Sequence, residues 1–156
     1  MLKNIILFFI CLFMSYNAVA EKAPDFTLKT QAGETISLSD YKGKPLILHF
    51  WATWCPYCKK LQPGLNRLYT KYKKQGLEML AISLWEDEGA TPQAVLNSRG
   101  YKLTTVINGD KLSKKYKVAG TPTTFFISKT GQIVFSTSNS NPDAPELEQA
   151  IKMILK

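Results

Sequence analysis

Apolar and polar residues alternate with two different periods along this chain, and the changes of period mark its elements. Leu46-Ile47-Leu48-His49-Phe50-Trp51-Ala52 is an apolar run broken by one polar residue, the pattern of a strand buried on both faces. Leu61, Leu65, Leu68 and Tyr72 then recur at three- and four-residue steps, which is one face of an amphipathic helix. Pro63 lies inside that pattern and is expected to kink the helix, while Gly76 is placed to end it. Leu77 to Leu84 is a second apolar strand, and the acidic stretch Trp85-Glu86-Asp87-Glu88-Gly89 follows it. That stretch falls at the C-terminal edge of the strands, where open α/β sheets place their sites.

The second half reads in the same way. Thr91-Pro92 opens a helix to about Arg99, with Gly100 beyond its end. Thr105 to Ile107 is a short strand and Lys111 to Tyr116 a short helix. Thr123 to Ser128 and Gln132 to Ser136 form a hairpin through Lys129-Thr130-Gly131, and a smaller hairpin joins Phe26–Leu28 to Thr35–Ser37 around Gly33. After a turn-rich connection, Asn139 to Ala144, the helix Glu146 to Leu155 closes the chain with Leu147, Ile151, Ile154 and Leu155 on one side. Strands alternating with helices place the chain in the α/β class, with a central mixed sheet flanked by helices.

The first twenty residues stand outside this pattern. Lys3, the apolar run Ile5 to Met14 and the small-x-small site Ala18-Val19-Ala20 follow the grammar of a cleaved secretory signal peptide. The run is short for a membrane span, which leaves an uncleaved anchor as the minority reading. Residues 21–156 are then one domain, long enough for a real core. The whole chain has 156 residues and a formal net charge of +8. The leader carries one lysine and no acid, so its removal leaves +7. The lysines are scattered without a nucleic-acid motif, so they read as a solvated surface.

Cleavage also removes Cys11, and the mature chain keeps only Cys55 and Cys58. A disulfide across two intervening residues restrains almost nothing in the unfolded chain, so structure is a poor reason for this pair. A closed zinc site wants four ligands, and two thiols with a single histidine fall short; no metal and no cofactor is expected beyond the redox-active pair itself. The pair sits where the buried strand turns into the helix. There the first sulfur meets unpaired backbone N–H groups and the positive end of the helix dipole, which favour the reactive thiolate.

Phe50-Trp51-Ala52-Thr53-Trp54-Cys55-Pro56-Tyr57-Cys58-Lys59 resembles the active-site segment of the thioredoxin superfamily. Ala23-Pro24-Asp25-Phe26-Thr27-Leu28, Leu38-Ser39-Asp40-Tyr41-Lys42-Gly43-Lys44 and Gly120-Thr121-Pro122-Thr123-Thr124-Phe125 resemble the framing segments of the TlpA/ResA-type periplasmic members. The resemblance implies a thioredoxin fold with an N-terminal β-hairpin and an extra βα insertion, and a proline at the offset of Pro63. It implies an exposed nucleophile at Cys55, a resolving thiol at Cys58 and a cis-proline loop at Thr121-Pro122. Trp54, Pro56, Tyr57, Thr121 and Pro122 would form the substrate-binding surface. His49 occupies the place, six residues before Cys55, where thioredoxin carries a buried acid; a histidine there could assist proton transfer near neutral pH. A core histidine bonded to a neighbouring group is the plainer reading.

The implied partners are protein thiols and disulfides and a membrane electron donor of the thiol–disulfide type, with no nucleic acid and a monomeric state. The framework implies a reductive role in the periplasm, while Pro56-Tyr57 leans towards oxidising members; the whole-chain likeness outweighs a dipeptide. The chain also departs from members that serve cytochrome c maturation, which often carry an acid where this one has Leu61 or Thr123. A thiol peroxidase is the nearest rival, since Ala23-Pro24-Asp25-Phe26 also begins peroxiredoxins. Those place a threonine three residues before the peroxidatic cysteine, where this chain has Ala52. A dithiol oxidase and a binding or chaperone-like module are two further rivals.

Overall fold

The computed structural model describes residues 21–156, so the expected leader, with Lys3, Cys11 and Ala18-Val19-Ala20, lies outside the described residues. The centre is β3 (Leu46–Trp51), whose every residue is buried. It pairs in parallel with β4 (Glu78–Ser83) and antiparallel with β6 (Thr123–Ile127). Beyond β4 lies β5 (Thr104–Val106), and beyond β6 lies β7 (Ile133–Thr137). The resulting five-stranded mixed sheet has the order β5-β4-β3-β6-β7. A separate two-stranded hairpin, β1 (Thr27–Lys29) with β2 (Thr35–Ser37), precedes it. This is the thioredoxin arrangement with an N-terminal hairpin.

Because side chains alternate across a strand, β3 serves two cores. Ile47 and Trp51 face one, packed with Cys55, with Cys58, Leu61 and Leu65 of α1 (Pro56–Tyr72) and with Leu147, Ala150 and Ile151 of α4 (Pro145–Leu155). Leu48 and Phe50 face the other, against Phe26 beside the hairpin and Leu112 in α3 (Asp110–Lys115). Phe50, Tyr116 and Phe125 form a tilted and edge-to-face aromatic trio there, with centroids 5.1–5.7 Å apart. His49 shares its strand face with Ile47 and Trp51, so it points towards the α1 side.

The helix α1 runs through Pro63 without a break. A 3-10 turn, Lys73–Gln75, extends it, and Gly76 ends the whole at φ 90°, a conformation that suits glycine. Gly64 lets the 139–144 connection close onto α1: a Cβ there would run into the backbone carbonyl of Pro142. The inserted α2 (Pro92–Ser98) leads into the edge strand β5 and presents Arg99, whose guanidinium stands 5.8 Å from the Trp51 ring. Among the described residues no helix is long and apolar enough to cross a membrane.

Candidate active site

The strand β3 delivers its chain to a tight turn in which Cys55 N–H donates to Ala52 O at 3.2 Å. Cys55 is the N-cap of α1, and its Sγ accepts the Cys58 N–H at 3.1 Å. Pro56 occupies the first turn, where a missing backbone donor costs nothing because that N–H would have no helical partner. Cys55 and Cys58 are joined as a disulfide with their Cα atoms 5.3 Å apart. The sulfur that becomes a thiolate on reduction thus already faces a backbone donor and the positive end of a 17-residue helix.

The resemblance implies an exposed first cysteine. In this disulfide state Cys55 is 3% exposed and Cys58 fully buried, so the difference between them is small. A second loop meets Cys55 here: the Thr121–Pro122 peptide bond is cis, and the Thr121 carbonyl oxygen lies 3.5 Å from Cys55 Sγ. Trp54 and Tyr57 flank Cys55 in the chain and, with Trp85, are 52%, 62% and 38% exposed. Trp54 Nε1–H donates to Trp85 O at 2.8 Å and ties two of these residues into one rim. Pro56, Tyr57, Trp54 and Thr121-Pro122 are therefore gathered around one disulfide by separate chain segments.

His49 is fully buried, and its Nδ1 lies 3.0 Å from Thr124 Oγ1 on the neighbouring strand, while its Nε2 has no partner among the described residues. Burial pushes its pKa down to about 3. In the disulfide state the ring is not poised near neutral pH, since a buried site with one hydroxyl neighbour offers nothing to stabilise an imidazolium. His49 is the neutral imidazole in the disulfide state.

Glu86 is the residue whose place sequence reasoning misses. The sequence puts it in a solvent-edge acidic loop, yet its carboxylate turns inward. It accepts from Thr53 N–H at 2.9 and 3.2 Å, from the Thr53 hydroxyl at 2.5 Å and from the Ser83 hydroxyl at 2.5 Å. Its position three residues beyond Ser83, at the end of an apolar strand, is the signal that could have marked it. Among the described residues no group of three or more His, Cys, Asp or Glu is placed to hold a metal ion.

Comparison with known proteins agrees with this geometry. Residues 19–136 match the model of the AhpC/TSA family. The chain is 40% identical over 117 residues to the thiol-disulfide oxidoreductase ResA of Geobacillus kaustophilus, covering 74% of this chain and 67% of that protein. It is 34% identical over 139 residues to a protein of the same name from Bacillus thuringiensis subsp. konkukian, covering 87% and 78%. In three dimensions it resembles a Chlorobium tepidum structure described as a candidate thiol:disulfide interchange protein DsbE. That match has a TM-score of 0.77 and 32% identity, over 88% of this chain and 97% of the other. A thiol–disulfide pair capping the central helix, on this fold and among these relatives, makes the chain a thioredoxin-like thiol–disulfide oxidoreductase belonging to the AhpC/TSA family.

Proposed function

We propose that the mature protein works in the periplasm as a reductant of protein disulfides, with Cys55 as nucleophile and Cys58 as resolving thiol. The observation that carries the assignment of Cys55 as nucleophile is the N-cap contact, Cys58 N–H to Cys55 Sγ at 3.1 Å. In the dithiol form this donor and the helix terminus favour the Cys55 thiolate. The thiolate attacks one sulfur of a substrate disulfide, forming a mixed disulfide and expelling the other substrate sulfur as a thiolate. Cys58, deprotonated in its turn, attacks Cys55 Sγ, closes the intramolecular disulfide and releases the second substrate thiol. Two electrons have then passed to the substrate. A membrane donor of the same chemistry returns them and regenerates the dithiol.

The substrate segment lies against the Thr121 backbone, with the exposed rings of Trp54 and Tyr57 supplying apolar contact. Export rests on the leader motif ending at Ala20. The reductive direction rests on the likeness of the whole chain to ResA-type proteins. His49, on the α1 face of β3 with an unpartnered Nε2, would serve there as a neutral hydrogen-bonding group rather than as a charged relay.

Acid-quenched alkylation of growing cells tests the direction. A reductant shows a substantial dithiol fraction at Cys55 and Cys58, which falls when the membrane donor is deleted. A pair that is wholly oxidised, with or without that donor, rejects the reductive reading and favours an oxidase.

A further inference from the structure

We infer that Glu86 is a positioning residue of the exchange reaction: it fixes the turn that presents Cys55 and, by its charge, disfavours the Cys55 thiolate, biasing the pair towards donating electrons. The inference rests on the disulfide-exchange reading above and assigns a residue that the cysteine motif does not contain. The geometry is specific. In the turn from Ala52 to Cys55, the Thr53 backbone N–H is directed onto both oxygens of Glu86. The Thr53 hydroxyl donates to the same carboxylate, and Ser83, fully buried at the end of β4, donates from the other side. Ser83 is paired with Trp51 across the sheet, so one carboxylate pins the ends of β3 and β4 at the root of the active-site turn.

The charge has a second consequence. Thr53 lies two residues before Cys55 within one four-residue turn, so the carboxylate that binds it is held on the turn that carries the sulfur. A like charge nearby disfavours ionisation of a thiol, opposing the helix terminus and the Cys58 N–H. In a dithiol–disulfide couple, a less stable thiolate makes the reduced form less stable and the pair a stronger reductant. Other charges near this turn are more exposed or already committed. Lys59 and Lys60 are exposed on α1, Asp87 and Glu88 are exposed beyond Glu86, Asp110 Oδ1 accepts the Trp85 N–H at 3.2 Å, and Arg99, 5.8 Å from the Trp51 ring, donates to Gln62 Oε1. His49 is held neutral. Glu86 is thus the charged group bonded directly to the turn.

The test compares Glu86→Gln with Glu86→Ala in the reduced protein. Glutamine keeps an acceptor for Thr53 N–H while the hydroxyls can turn to suit its amide; alanine removes both the bonds and the charge. The readouts are the pH midpoint of Cys55 alkylation by iodoacetamide, the equilibrium with glutathione and the urea midpoint. The inference expects both variants to lower the alkylation midpoint by about half a pH unit or more, roughly threefold in thiolate. It expects the glutathione equilibrium to move towards dithiol, increasingly so as pH rises through that midpoint, a tenfold change being about 30 mV. Only Glu86→Ala should lose substantial stability. An unchanged or raised midpoint in Glu86→Gln overturns the charge role, and equal urea midpoints for parent and Glu86→Ala overturn the turn-holding role. In both cases the parent still exchanges with glutathione. A parent that does not exchange at all overturns the disulfide-exchange reading and this inference with it.

Discussion

His49 gives the most quantitative prediction. It is the only histidine in the chain, so between pH 7 and 4.5 its imidazole is the one side chain with an unperturbed pKa in the window. Burial lowers its pKa in the folded state to about 3 from the ordinary 6.5. Above 6.5 both states leave the ring neutral and the site is indifferent to pH. Below 6.5 the unfolded chain takes up a proton that the folded protein refuses, so stability falls as pH falls, and the loss accumulates until the folded site itself titrates near 3. The slope is about 1.4 kcal/mol per pH unit, which makes the loss roughly 3 kcal/mol between pH 7.5 and 4.5. That is a large part of the roughly 5–15 kcal/mol by which domains are stable. The assay is urea denaturation of the oxidised protein at half-unit steps over that range. His49→Leu and His49→Asn should both flatten the slope, whatever they do to stability at pH 7.5. Parallel pH curves for parent and both variants would show that His49 is not held neutral by its site, and the reasoning would fail.

Two further predictions follow from packing and processing. In Gly64→Ala the helix gains about 1 kcal/mol of propensity. The new Cβ, however, collides with the Pro142 backbone, and overpacking of this kind typically costs about 1–3 kcal/mol. The backbone must also loosen where Arg67 Nη2 bonds Pro142 O and Asp143 Oδ1. A net loss of about 1 kcal/mol or more in urea is expected, and a stabilised variant would contradict the close approach. N-terminal sequencing of the exported protein should begin at Glu21; an intact Met1 would indicate an uncleaved anchor instead.

Much of the fold was legible because β3 and β4 are continuous apolar runs and α1 and α4 repeat at helical spacing. These signals come from burial, which the sequence records directly. The Cys55–Cys58 chemistry was legible for a related reason, since the position of a sulfur on a helix terminus follows from local chain order. What was not legible depends on long-range contacts. The carbonyl that meets Cys55 Sγ belongs to Thr121, 66 residues away. The neutral state of His49 comes from the complete closure of its surroundings, and one apolar strand pattern reads alike for a histidine beside a carboxylate and one beside Thr124. Glu86 looks like a solvated acid in an acidic loop because its donors, Thr53 and Ser83, are brought together only by the β3–β4 pairing.

The central claim is the division of labour between the two sulfurs. It is tested by mixing reduced Cys55→Ser and Cys58→Ser with oxidised glutathione and following the glutathione adduct by intact mass. The account predicts that Cys58→Ser forms a persistent adduct at Cys55, at least ~10-fold faster than Cys55→Ser forms one, since only Cys55 sits on the helix terminus that stabilises a thiolate. Faster adduct formation by Cys55→Ser, at the buried Cys58, would contradict it.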